Sequence, residues 1–196
     1  IDLEHNSMTL DMAVQISVTA NAAGISPIVR VPYGQFDMAT RALDGGDTIM
    51  SPGSWEAVLR CVGAACAAVD GVVGGEARNA FCATRPCGHH AESERAMGFC
   101  IFNQAAIAAL HARAAHGLRR DAVVDFDVHH GNGTQGIFWN DPRAMFVSSH
   151  EMPLYPGTGA VSERGTKNTI VNAALRPGDG GDEFREAMEA VILPRL

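Results

Sequence analysis

Apolar residues recur at three- and four-residue intervals through MTLDMAVQISVTANAAG, residues 8–24, which predicts an amphipathic helix ended by Gly24. SPIVRVP then reads as a short strand closed by Pro32, and residues 35–43 as a second helix. After the glycine turn DGGD, the stretch SPGSWEAVLRCVGAACAAVDGVV predicts a long Ala-rich helix, with Ser51 or Ser54 as N-cap and Pro52 near its start. NAFCAT is a strand candidate running into the loop RPCGHH, and NQAAIAALHARAAHG predicts a helix stopped by Gly117. AVVDFDV, AMFVSS and NTIVNA carry the β-branched runs of buried strands, and GDEFREAMEAVIL reads as a closing helix. Strands alternating with helices predict an α/β fold built on a parallel sheet with helices on both faces. The chain carries no internal repeat, low-complexity tract or obvious linker.

Composition narrows the function classes. A chain of 196 residues, 46% hydrophobic, is long enough for one or two compact domains. A net charge of −7 with no basic cluster argues against nucleic acid as a partner. No apolar run approaches the roughly 20 residues of a membrane-spanning helix, and the first residues lack a basic region followed by an apolar signal core. A soluble, cytoplasmic protein is the expectation. Five cysteines make an odd count, which favours reduced thiols over a disulfide framework, and Cys61 and Cys66 read as small core residues of the Ala-rich helix. Ile1 is not an initiator Met and LPRL is not a recognisable ending, which suggests a piece of a longer protein.

The densest chemistry is DFDVHHGNGTQ, Asp125 to Gln135. If Asp125 to His129 stay extended, period-two alternation sends Asp125, Asp127 and His129 to one side and Phe126 and Val128 to the other. Two carboxylates and an imidazole converging at a strand end favour a divalent cation to balance them. The alternative is that the two Asp cap the following helix while the His pair packs under a loop. Gly131-Asn132-Gly133 lets the backbone curl tightly, and ligands of open α/β sheets bind beyond the carboxyl ends of strands. A second pair, His89 and His90 in RPCGHHAE, follows the preceding strand candidate and can meet the first at the same sheet edge.

RPCGHHA, GFCIFN, DFDVHHGNGTQ, VSSH and YPGTG, in that order, resemble the zinc-dependent histone deacetylase family, with its acetylpolyamine amidohydrolase and acetoin-utilisation relatives. The resemblance covers about residues 46–196. It implies an arginase/deacetylase-like α/β fold, incomplete here, and hydrolysis of acetyl groups from acetylated lysine or polyamine amines. By resemblance Asp127 and His129 are zinc ligands. His89 and His90 would manage the proton of the attacking water, with Asp125 partnering His89 and Asn132 orienting His90. Gly98, Phe99 and Tyr155 would shape a narrow substrate channel. Asp125, Asp127, Ser148 and Ser149 would form a structural monovalent-cation site for an ion such as K+. Oligomeric state stays open.

Two departures qualify the resemblance. Cys87 stands where the family usually carries a second proline, which removes a φ restraint and adds a thiol. A catalytic zinc normally keeps three protein ligands, and the family's third ligand, the Asp of an SAGFD-type motif, and its oxyanion-stabilising Tyr, in a Gly-Gly-Tyr, have no counterpart up to Leu196. His150, Asp179 and Asp182 could substitute in principle, although nothing in their spacing recommends them. The expectation is therefore a truncated, weakly active or inactive deacetylase, the alternative being a noncatalytic remnant with a half-formed metal site.

Residues 1–45 fit a different pattern. IDLEHNSMTLD and SPIVRVPYGQFDMATRALDGG resemble the start of a class II aldolase of the HpcH/HpaI type, which implies an Asp2-His5 proton-transfer dyad and a pyruvate-gripping Arg30. A chimera with a seam near Gly45-Gly46-Asp47, and an aldolase-like lyase activity, are the corresponding expectations. For these three residues the plainer reading is a solvated turn and a surface Arg.

Overall fold

The structure, a computed structural model, describes residues 48–196. The helix expected to end at Gly24, the strand closed by Pro32, the helix over 35–43 and the residues Asp2, His5 and Arg30 lie outside these residues. The described chain forms helices α1 (Ser54–Val73) and α2 (Gln104–His116), then strand β1 (Asp121–Asp125), helix α3 (Asn132–Phe138), strands β2 (Ala144–Glu151) and β3 (Ile170–Leu175), and helix α4 (Gly181–Glu186).

The three strands pair in sequence order, all parallel, with Asp125 opposite Ser148 and Ser148 opposite Asn172. Alternation along β2 separates two cores. Phe146 joins Ala106 and Ala109 of α2, Phe138 of α3, Ala144 and Ile170 on one face. Val147 joins Val171, Ala173 and Ile192 on the other, with Met145, Ala187 and Met188 packed against them. Helices therefore cover both faces, as the alternating pattern predicts. The alanines of α2 let its backbone lie close to the sheet, and α1 packs on α2. Among the described residues no helix is long and apolar enough to cross a membrane.

Helix ends follow local chemistry, with one correction. Asn103 caps α2 by accepting from Ala106 N at 3.0 Å, and Gly117 ends it at φ 68°. The N-cap of α1 is Gly53, at φ 92°, rather than Ser51 or Ser54; those two residues instead bond each other, Ser51 N donating to Ser54 Oγ at 2.9 Å. Gly53 takes the left-handed backbone that a serine there would resist.

Two expected elements differ. NAFCAT is not a strand: Phe81 is 93% exposed and the segment has no ladder partner, since β1 pairs only with β2 among the described residues. An extended run without a neighbouring strand leaves its backbone groups to water. The closing helix is α-helical only to Glu186, then widens to a π-helical turn over Ala187–Ile192 and tightens to a 3-10 turn over Leu193–Arg195, where Pro194 lacks the N–H that a continuing helix needs.

Arg113 joins three elements. Its side chain, 6% exposed, places Nε 2.8 Å from Asp121 Oδ1 at the start of β1 and Nη1 2.6 Å from Asp141 Oδ2 in the turn between α3 and β2.

Candidate active site

The loop over residues 85–91 carries the first histidine pair and is tied down from below. Gln104 Nε2 donates to Pro86 O at 2.9 Å, Cys61 Sγ to Arg85 O at 2.7 Å, and Asn103 Nδ2 to Ala91 O at 3.3 Å. The turn after β1 closes on this loop: Thr134 N donates to His89 O at 3.2 Å. A Cβ at Gly131 would run into the Asp125 carboxylate, and one at Gly133 into the Ala91 carbonyl. Close approach of the Asp125 side chain at Gly131 and of the 90–91 backbone at Gly133 therefore explains the glycines of HHGNG.

His89 Nδ1 lies 2.9 Å from Asp125 Oδ2, and both side chains are mostly buried. A carboxylate only accepts, so Nδ1 carries the proton and Nε2 is left for the pocket that His89 lines. Burial by itself would lower the His89 pKa, but the Asp125 hydrogen bond and the charges of Asp125 and Asp127 outweigh it, and the net shift is upward. His90, 4% exposed, lies with Nδ1 2.9 Å from Asn132 Oδ1. Burial lowers its pKa, and the neighbouring His89 charge adds to that. The rings stand 4.0 Å apart. Two adjacent imidazoles are thus biased in opposite directions, His89 upward by its carboxylate and His90 downward by burial and by its neighbour.

Glu92 was not singled out by the sequence. Asn132 Nδ2 donates to Glu92 Oε1 at 2.9 Å, which fixes the amide so that Oδ1 faces His90. A Glu two residues after the histidine pair was the available signal, but a charged loop residue has no distinguishing pattern of its own.

The extended alternation expected for residues 125–129 is corrected. β1 stops at Asp125, and Asp125 Oδ1 accepts from Asp127 N at 3.1 Å while Asp127 Oδ1 accepts from His129 N at 2.8 Å. Successive Asp side chains hydrogen-bonding two residues ahead favour turns over continued strand. Asp127 and His129 still come together, Oδ1 and Nδ1 lying 3.3 Å apart with the side chains 52% and 40% exposed. Phe126 and Val128 are exposed, and Val128 O accepts from Glu151 N at 2.9 Å, which holds the turn over the end of β2.

A pocket of about 370 Å³ gathers Asp127 and His129 with His89, His90, Gly98, Phe99, Tyr155 and Cys87. A larger groove of about 700 Å³ lies behind the same loop, against Val123 and Val124, and shares His89 and Asp127. The smaller one is where the rings converge: Tyr155 meets the His90 ring edge-on at 5.0 Å and the His129 ring at 6.2 Å. Gly98 sits at φ 57°, and a Cβ there would lie 2.5 Å from His90 Cδ2. Phe99 also has positive φ, at 63°, and its N–H donates to Thr48 Oγ1 at 3.1 Å. Cys87 lies with Sγ 3.4 Å from Cys100 Sγ; this contact holds the Cys87 thiol down, to about 6, and pushes Cys100 up.

The expected metal and cation residues divide. A carboxylate oxygen and an imidazole nitrogen side by side, half exposed on a pocket, fit two corners of a zinc ion's tetrahedron. The described residues add no third carboxylate or imidazole to them; the cluster of three such groups there is Asp70, His111 and His116, elsewhere in the fold. His150 is buried with both nitrogens occupied, by Ser148 Oγ at 2.9 Å and Gly159 O at 3.0 Å. Asp179 accepts from Arg176 N in an exposed turn, Asp182 sits in the first turn of α4, and neither lines the pocket. Ser148 and Ser149 are buried at the carboxyl end of β2 beside Asp125, and Ser149 Oγ has no hydrogen-bond partner among the described residues.

Beneath the pocket a buried polar network extends past the expected residues. His130, 1% exposed, lies 2.8 Å from Thr158 Oγ1 through Nδ1 and 3.0 Å from Gln135 Oε1 through Nε2. Gln135 Nε2 donates to Glu163 Oε2 at 2.6 Å, and Asn172 Nδ2 donates to Gln135 Oε1 at 2.8 Å. Burial pushes the His130 pKa down to about 4.

The model of the histone deacetylase domain matches residues 12–196, running well ahead of the boundary expected near residue 46. The aldolase resemblance of the first 45 residues finds no support in the comparisons. A histone deacetylase-like amidohydrolase of Pseudomonas aeruginosa is 42% identical over 156 residues, 78% of this chain and 41% of that protein. A probable deacetylase of Archaeoglobus fulgidus is 41% identical over 151 residues, 76% of this chain and 42% of that protein. The crystal structure of the HDA15 HD domain superposes with a TM-score of 0.71 at 30% identity, covering 93% of this chain and 60% of that one. The chain thus spans less than half the length of these two curated relatives. With its parallel sheet, its paired histidines and a domain match over most of its length, the chain belongs to the histone deacetylase family.

Proposed function

We propose that the protein is a zinc-dependent amidohydrolase that removes acetyl groups from acetylated lysine side chains or acetylpolyamines in the cytoplasm. The observation that carries this reading is the pair of imidazoles 4.0 Å apart, one tied to a carboxylate and one to an amide, on the pocket that also holds Asp127 and His129. In this reading Asp127 and His129 supply two protein ligands, and the third ligand and the oxyanion donor come from outside the described residues. Zinc bound there would polarise the acetyl carbonyl and acidify water.

The chain's own residues move the protons. His90, whose pKa burial lowers, takes a proton from the attacking water at Nε2. His89, whose proton affinity the Asp125 carboxylate raises, then relays one through Nε2 to the departing amine. Asn132 and Asp125 hold each ring to one tautomer. Phe99 and Tyr155 wall a passage suited to an alkyl-amine chain, and Gly98 admits the close approach of the Phe99 turn to His90. Asp125, Asp127, Ser148 and Ser149 would hold a monovalent cation such as K+, a role favoured by the buried Ser149 hydroxyl, which has no hydrogen-bond partner among the described residues.

The test is acetate release from an acetyl-lysine peptide and from an acetylpolyamine by the zinc-loaded protein. Release abolished by His90→Ala and by His129→Ala is expected. Release that survives either change, or no release from either substrate, would overturn the assignment, the latter in favour of a noncatalytic half-site.

A further inference from the structure

Asp70, His111 and His116 form a constellation with no residue in common with the pocket above. Asp70 lies near the end of α1, and His111 and His116 lie near the end of α2. Asp70 Oδ1 is 2.7 Å from Nε2 of both histidines, whose rings meet edge-on at 5.9 Å. Five residues apart on a helix, the two Cβ atoms diverge by about 140°, yet both rings swing back to one oxygen.

We propose that Asp70 Oδ1, His111 Nε2 and His116 Nε2 form a second metal site, for a borderline-soft divalent ion such as Zn²⁺, that clasps α1 to α2. Two imidazoles and one carboxylate are a donor set that such ions take, with water completing the shell. The three ligand atoms already lie within 4.8 Å of one another. Ligands around a four-coordinate zinc stand roughly 3.3 Å apart, given bonds of about 2.0–2.1 Å. Asp70 therefore has to withdraw by about half an ångström, which a side chain 51% exposed can do. The histidine side chains, 28% and 24% exposed, leave an approach from solvent.

Electrostatics favour a cation there. Two helix C-termini meet at the cluster, each carrying partial negative charge. The last turn of α1 has no basic residue, and Arg113 of α2 is committed to Asp121 and Asp141. Asp70 Oδ1 already faces both imidazole nitrogens at 2.7 Å, so a single oxygen and two ring nitrogens converge on one point.

The test is zinc binding by the full chain carrying His129→Ala, which removes the other candidate site. Equilibrium dialysis measures stoichiometry, and visible absorption of a Co²⁺ substitute reports the ligands. About one ion bound, weakened at least about tenfold by adding His111→Ala, by adding His116→Gln and by adding Asp70→Asn, is expected. Gln at 116 can still donate to Asp70, so its metal-free melting curve separates lost ligation from lost folding. Zinc should raise the melting temperature of the His129→Ala chain and leave that of the His116→Gln double variant in place. No ion bound in the His129→Ala background, or binding unmoved by the three changes, would overturn the proposal.

Discussion

Asn132 stands between His90 and Glu92: its Oδ1 lies 2.9 Å from His90 Nδ1 and its Nδ2 donates to Glu92 Oε1 at 2.9 Å. The carboxylate orients the amide, and the amide orients the ring. Replacing Asn132 by Ala should lower acetate release on the order of 10–100-fold, with most of the loss in kcat. Replacing Glu92 by Gln should cost less, because a glutamine can still accept from Asn132. Equal losses in both variants, read in steady-state kinetics, would contradict this order.

Gly98 and Gly136 make a controlled pair. Gly98 sits at φ 57° and a Cβ there meets His90 at 2.5 Å, whereas one at Gly136 meets nothing within 4 Å among the described residues. Gly98→Ala should lower stability by about 1–2 kcal/mol from the backbone alone, and should displace His90 with loss of activity. Gly136→Ala, inside α3, should be neutral or stabilising by up to about 1 kcal/mol. Urea titration of both checks the contrast.

Arg113 holds two carboxylates from a nearly buried position, 6% exposed. Arg113→Ala leaves Asp121 without its cation, while Asp141 keeps Arg143, and should destabilise the fold by about 3–5 kcal/mol. Arg143, whose side chain is 61% exposed beside the same Asp141, should be worth about 1 kcal/mol or less on replacement by Ala. Denaturant midpoints should fall in that order.

His130 makes stability depend on acid. Burial lowers its pKa from an ordinary 6.5 to about 4, so between those values the unfolded chain binds the extra proton and the folded chain does not. The stability it contributes is fully present above pH 6.5 and is lost as pH falls toward about 4, at up to about 1.4 kcal/mol per pH unit. His150, buried beside it and shifted the same way, steepens the limb. Stability measured across this range should fall less steeply in His130→Gln than in the parent chain.

Much of the site was legible because the family's motifs are contiguous. A short stretch such as DFDVHHGNGTQ carries its own turn chemistry, and residues a few positions apart have little freedom to separate. The helix end marked by Gly117, and strands marked by β-branched runs, were legible for the same reason: a cap or a side-chain period acts locally. NAFCAT shows the limit, since its residues suit a strand but a strand also requires a neighbour, and none pairs with it among the described residues.

The sequence by itself determined the fold class, the family and the identities of the paired histidines and carboxylates. Tertiary structure decided which of them act on one another. Glu92 reaches His90 only through Asn132, forty residues away, and Asp70 meets His111 and His116 only because two helix ends converge. Contacts between residues far apart in the chain depend on how elements pack, and packing is a property of the whole core rather than of any local pattern.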